Sequence, residues 1–191
     1  MQENLNYLFR PLGADNRGDF EKLFGKNGAC GGCWCMFWRL ARAEFSGQKG
    51  EGNRQAMKKL IESGETPGIL AYLGDEPVGW CSVAPREKFP ALERSRVSAR
   101  IDDQPVWSIT CFFIHKNYRR KGLSLALLRA AVDYVREQGG KIVEGYPVEP
   151  KKPQPGAFVW TGLASAFRQA GFQECARRSE TRPLMRLVIG G

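Results

Sequence analysis

The chain has 191 residues, 42% apolar and 26% charged, the balance of a globular protein long enough to bury a core without disulfide staples. This argues against an intrinsically disordered chain, a collagen-type repeat and a coiled coil, and no run reaches the ~20 apolar residues of a membrane helix. Lys and Arg number 29 against 20 Asp and Glu, a net charge of +9, and the excess is uneven: residues 1–95 hold 13 basic and 12 acidic side chains, residues 96–191 hold 16 and 8. The second half is therefore expected to meet an anion: a phosphorylated cofactor, an acidic substrate or nucleic acid.

The N-terminal stretch MQENLNYLFRPLG lacks a basic segment followed by an apolar one, so no export signal is expected and the cytoplasm is the expected compartment. Asn6 to Leu12 reads as a strand, and Asp15 to Phe24 as a helix with Phe20, Leu23 and Phe24 on one side. Gly25 to Gly50 is rich in Gly and Cys around the run CWCMFWRL. Asn53 to Glu62 has Met57, Leu60 and Ile61 at helical spacing. Pro67–Leu73 and Pro77–Ala84 read as a hairpin turned at Gly74-Asp75-Glu76. Lys88 to Asp103 is polar, a loop with a short helix.

Val106 to Ile114 is a continuous apolar, β-branched and aromatic run, the pattern of a central strand buried on both faces. After HKNYRRKG, Leu125, Leu128, Val132 and Val135 recur at helical spacing until Gly139-Gly140. Lys141–Val148 is a further strand, Leu163–Ala170 a short helix closed by Gly171, and Phe172–Arg178 with Arg182–Ile189 a terminal strand pair. The order β-α-α-β-β-β-α-β-α-β-β predicts one α/β domain over residues 1–191, a mixed sheet with helices on its faces.

The turn Tyr118 to Ser124 joins that central strand to the long helix. A helix N-terminus carries unpaired N–H groups and the positive end of the dipole, so three cations there (Arg119, Arg120, Lys121) conflict with it unless an anion sits between them. Gly122 removes a Cβ where such a ligand approaches the backbone. The turn is neither GxxxxGK[ST] nor GxGxxG, yet its chemistry suits a phosphate or pyrophosphate.

The strand, this turn and the amphipathic helix together resemble the acetyl-CoA-binding motif of the GNAT superfamily of N-acetyltransferases, [RQ]-x-x-G-x-[GA], with Ser124 in place of the last Gly or Ala. FFI before HKNY, the strand KIVEGYPV and the helix ending in QAGF match as well, so the resemblance runs from Asn6 to Ile189. It implies a mostly antiparallel twisted sheet with splayed central parallel strands and helices on both faces. It implies that the pantetheine arm pairs with the backbone of Phe112, Phe113 and Ile114, and that the pyrophosphate meets Arg119, Arg120, Lys121, Gly122, Leu123 and Ser124. The implied reaction is attack of an acceptor amine, of a small molecule or peptide, on the thioester in a ternary complex. No metal is implied, and the expected form is a monomer or homodimer.

Two positions depart from the family. Where many members carry a Glu base this chain has Ser108, and where many carry a Tyr acid it has Phe167. Ser108 is left as a water-holding relay, with Thr110 on its face by alternation and Glu144 on the next strand as another candidate. The family places the segment after the first helix over the acceptor site, so Trp34, Cys35 and Trp38 are candidates to wall it, beside a reading as core. Cys30-x-x-Cys33-x-Cys35 lacks an obvious fourth zinc ligand. His115, the one histidine, reads as a solvated strand-end residue and Asp102-Asp103 as a turn. Two alternatives remain: a GNAT-like acyl-CoA sensor with weak catalysis, and a basic nucleic-acid-binding protein, for which no motif is present.

Overall fold

The structure is a computed structural model that describes residues 6–152 and 154–190, so the first five residues of the stretch read for a leader lie outside it. Seven strands form one sheet in the order β1-β2-β3-β4-β5-β7-β6. They are β1 (Tyr7–Pro11), β2 (Gly68–Leu73), β3 (Glu76–Pro85), β4 (Trp107–Ile114), β5 (Ile142–Gly145), β6 (Gln173–Arg177) and β7 (Pro183–Val188). All neighbours are antiparallel except β4 and β5, the parallel pair at the centre.

The helices are α1 (Arg17–Phe24), α2 (Arg42–Gly47), α3 (Glu51–Glu62), α4 (Pro90–Glu93), α5 (Leu123–Glu137) and α6 (Ala164–Gln169). Helix α5 buries Leu123, Leu127, Leu128, Ala131, Val132 and Val135, a 3.6-period stripe laid on one face of the sheet against Val83, Ile109 and Phe112. Each of its Leu and Val side chains contributes roughly 1.5–3 kcal/mol. On the other face, Phe20, Phe24, Met57 and Ile61 of α1 and α3 pack on Leu70, Tyr72 and Trp80. No helix among the described residues is long and apolar enough to cross a membrane.

The expected elements are found, with shifted ends. The Gly- and Cys-rich segment contains a distorted turn at Gly28–Gly32 and helix α2. The strand expected over Lys141–Val148 is ordered as β5 only to Gly145, after which Val148 makes an isolated bridge to Leu163.

Two irregularities shape the centre of the sheet. The register of β3 on β4 passes from Ser82↔Cys111 to Val83↔Ile109, so Thr110 is an extra residue on β4, a bulge. Thr110 therefore stays on the Ser108 side, its Oγ1 donating to Ser82 Oγ at 3.2 Å, while Phe112 is turned to the α5 face. The β4–β5 ladder runs only from Trp107↔Val143 to Ile109↔Gly145. Beyond it the parallel strands part, leaving the β4 edge from Thr110 to Ile114 without β5. Gly145 sits at the parting because a Cβ there would lie 2.0 Å from Phe167.

Candidate active site

The turn after β4 visits left-handed backbone twice: Arg120 has φ 60, and Gly122, the N-cap of α5, has φ 79 and ψ −4. Among the described residues, no backbone carbonyl accepts from the amides of Arg119 to Ser124 outside the helix itself, and no side chain caps α5. No acidic residue lies in its first turn. Arg119, Arg120, Lys121 and Gly122 are exposed. Arg119 Nε donates to the Ile114 carbonyl at 3.0 Å, tying the turn to the end of β4, and Lys121 lies 5.8 Å from the Tyr118 ring centre. A Cβ on Gly122 would meet nothing within 4 Å, so the space before the amides is open.

The parted β4 edge leads from this turn toward the interior. Phe112 N–H donates to the Trp160 carbonyl at 2.6 Å. Strand alternation puts the Ile114 N–H on the same edge. Trp160 belongs to the segment between β5 and α6, and its side chain lines a cavity of about 220 Å³ together with Phe37, Trp38, Val97, Tyr146 and Arg182. One residue thus borders both the strand edge and the cavity.

A buried polar network underlies that cavity. Ser108 Oγ lies 2.8 Å from Tyr146 Oη, and the Tyr146 hydroxyl donates to Glu144 Oε2 at 3.0 Å. Arg86, 1% exposed, donates to Tyr146 Oη at 2.6 Å, to Glu144 Oε2 at 3.4 Å, to Glu93 and to the Ser98 carbonyl. Arg186 donates to Glu144 Oε1 at 2.6 Å and clasps Asp102 with both terminal nitrogens, at 2.6 and 3.0 Å. Burial pushes the Tyr146 phenol up, and the neighbouring Glu144 carboxylate adds to it, so the hydroxyl keeps its proton at neutral pH.

The sequence candidates separate on these coordinates. Ser108 and Glu144 are brought together, but both are fully enclosed, and Ser108 reaches the cavity only through Tyr146. Both Glu144 oxygens already accept hydrogen bonds from guanidinium groups. Phe167 is core, packed edge-on against Phe112 and Phe172. Trp38 lines the cavity, whereas Trp34 and Cys35 do not. Both have left-handed backbone, φ 44 and φ 54, which turns their side chains into the core: Trp34 stacks on Phe24, and Cys35 Sγ accepts from Trp80 Nε1 at 2.9 Å.

Cys35 also touches Cys111 Sγ at 3.0 Å, and burial pushes its thiol up. Among the described residues, no group of three or more His, Cys, Asp or Glu is arranged to hold a metal ion. His115 anchors the end of β4 through its backbone, donating to the Val78 carbonyl. Asp102 does form a turn, accepting from Gln104 N–H, and in addition holds Arg186. Tyr146, Arg86, Arg182 and Trp160 were missed by sequence reasoning. The only signal was Tyr146 as a polar ring inside EGYPV.

Residues 34–150 match the family model described as Acetyltransferase (GNAT) family. No curated protein matches at a significant level. Among solved structures, a GNAT family acetyltransferase from Listeria monocytogenes superposes with a TM-score of 0.59 at 12% identity, covering 99% of this chain and 98% of that one. The PaiA N-acetyltransferase from Thermoplasma acidophilum, in complex with coenzyme A, gives 0.54 at 10% identity over 96% and 99%. The ribosomal-protein-S5-alanine acetyltransferase from Vibrio fischeri gives 0.54 at 12% over 95% and 92%. At these identities the likeness is one of fold.

Proposed function

Because the chain belongs to the GNAT acetyltransferase family, we propose that it moves an acetyl group from acetyl-CoA to a primary amine of a small molecule or peptide, by direct attack while both substrates are bound. The observation that carries this reading is the turn at Arg119–Ser124, with open space before Gly122 and no acid or cap at the start of α5. The solved N-acetyltransferase from Thermoplasma acidophilum with coenzyme A supports the same choice of co-substrate.

Acetyl-CoA supplies an activated thioester; the remaining tasks fall to this chain. The amides of Arg120 to Ser124 and the positive end of α5 hold the pyrophosphate, with Arg120 and Lys121 adding charge. The β4 edge at Phe112 to Ile114 holds the pantetheine arm and fixes its register. The cavity beside Trp38, Tyr146 and Trp160 takes the acceptor and excludes water. Positioning two reactants in this way supplies a large part of the rate without a strong base. Tyr146, held protonated and lining the cavity, is the hydroxyl placed to meet the substrates, its orientation fixed by hydrogen bonds to Ser108 and Glu144.

The test is CoA release, followed with a thiol reagent, from acetyl-CoA and a panel of primary amines, with products identified by mass. Amine-dependent release supports the reading. Acetyl-CoA binding without release for any amine favours a sensor domain. No binding at all removes the proposal.

A further inference from the structure

The cavity beside Trp160 has a chemistry of its own. Its walls are the rings of Phe37, Trp38 and Trp160, with Phe37 5.1 Å and Trp38 6.2 Å from Trp160 between ring centres. Such walls suit a flat or apolar body. Among the described residues, no Asp or Glu lines it. A polycationic acceptor would need carboxylates there, so this lining disfavours one.

Ser95, Ser98 and Tyr146 bring hydroxyls to it. Arg182 also lines the cavity, and among the described residues its one side-chain hydrogen bond is a long one, 3.4 Å to Thr161 Oγ1. The contrast with nearby arginines is sharp. Arg86 is paired with Glu93 and Glu144, Arg186 with Glu144 and Asp102, and Arg177 with Glu149 and Glu174. Among the described residues no carboxylate pairs with Arg182. Its backbone is fixed by the turn in which its N–H donates to the Ser179 carbonyl at 3.1 Å, just before β7. A half-buried guanidinium at a preorganised position, with no carboxylate partner among the described residues and aromatic walls beside it, is a receptor for a planar anion.

We infer that this cavity is a carboxylate-binding subsite, and that the acceptor is an amine carrying a carboxylate on an apolar or aromatic body. Arg182 pairs with the carboxylate, and the rings of Phe37, Trp38 and Trp160 hold the body. The naming of the acceptor class rests on the acetyltransferase reading; the subsite itself does not.

Two arms of one experiment separate these. In the first, the intact protein is titrated with 3-phenylpropionate and with 3-phenylpropanamide, following tryptophan emission and calorimetry, with no acetyl-CoA present. The acid is expected to bind about tenfold or more tightly than the amide. Arg182→Gln, verified as folded by its melting transition, is expected to bring the two within about twofold, and Arg182→Lys to keep part of the preference. Equal binding of acid and amide by the wild type overturns the inference, as does a preference that survives Arg182→Gln. In the second arm, phenylalanine, phenylalaninamide and phenethylamine are offered with acetyl-CoA. Preferred acetylation of the acid supports the acceptor class, and preferred acetylation of phenethylamine overturns it. If no amine is acetylated while the first arm holds, the transferase reading fails and the subsite stands.

Discussion

The carbonyl of Trp160 accepts the Phe112 amide N–H at 2.6 Å, across the gap that opens where β5 leaves β4. A ligand arm that pairs with the β4 edge competes for that donor, so acetyl-CoA is expected to shift Trp160 and with it one wall of the cavity. Tryptophan emission should change on titration with acetyl-CoA, and Trp160→Phe should remove most of the change. A change that persists undiminished in Trp160→Phe would show that the cofactor leaves this contact alone.

Gly122 stands outside α5 as its N-cap, in left-handed backbone where a β-branched residue is strained by about 1–2 kcal/mol. Gly122→Val therefore costs stability whether or not a ligand binds. Gly139, φ 76 at the other end of α5, also faces open space and supplies a matched control. Acetyl-CoA at 100 times its Kd should stabilise both the wild type and Gly139→Val by about 2.7 kcal/mol. Gly122→Val should show no such gain, and an equal shift in melting temperature for both variants would contradict pyrophosphate binding at this turn.

The Arg86–Glu144–Arg186 network predicts a stability loss that outruns any catalytic one. Glu144→Gln leaves two guanidinium groups without their shared carboxylate, a change worth about 3 kcal/mol or more at a buried site. Urea denaturation should register it. A variant as stable as the wild type but inactive would instead make Glu144 a proton-transfer group.

Asp102 adds a pH signature to the same network. Arg186, hydrogen-bonded to it, holds its carboxyl down from 3.8 to about 2. A carboxyl held down in the folded state stabilises the fold above its ordinary value and gives that up as pH falls through its folded one. The urea midpoint should fall from about pH 4 to pH 2, and Asp102→Asn should flatten that part of the curve. An identical slope in the variant would mean that other groups carry it.

Trp34 and Trp38 lie four residues apart and should behave differently. Trp34→Ala empties the core beside Phe20 and Phe24 and should cost about 3–5 kcal/mol. Trp38→Ala should raise KM for the amine more than KM for acetyl-CoA, because its ring lines the cavity proposed for the acceptor. Equal changes in both constants, with stability lost, would place Trp38 in the core as well.

The centre of the fold was legible because its signals are local. Val106 to Ile114 is an uninterrupted apolar run, α5 repeats its apolar residues at helical spacing, and the basic turn between them contradicts helix-end electrostatics unless an anion is bound. The bulge at Thr110 left no mark, because one extra residue in a run of Ile, Thr, Cys and Phe changes no pattern. The Gly- and Cys-rich segment hid its division of labour. Left-handed backbone at Trp34 and Cys35 sends those side chains into the core and leaves Phe37 and Trp38 for the cavity, and composition does not report φ.

The polar network was invisible for another reason. Glu144 read as a candidate base and Asp102 as part of a turn, Arg86 and Arg186 carried no signal, and only the sheet brings the four within hydrogen-bond reach. Arg182 was equally silent, since what distinguishes it is the lack of a partner among the described residues, a property of the fold.

A crystal structure of the chain with acetyl-CoA tests the central claim most directly. The account predicts the pyrophosphate within hydrogen-bond distance of the amides of Arg120 to Ser124, the pantetheine arm along Phe112 to Ile114, and the thioester opening toward Tyr146 and Trp38. Acetyl-CoA bound elsewhere, with the Arg119–Ser124 turn in contact only with solvent, would contradict it.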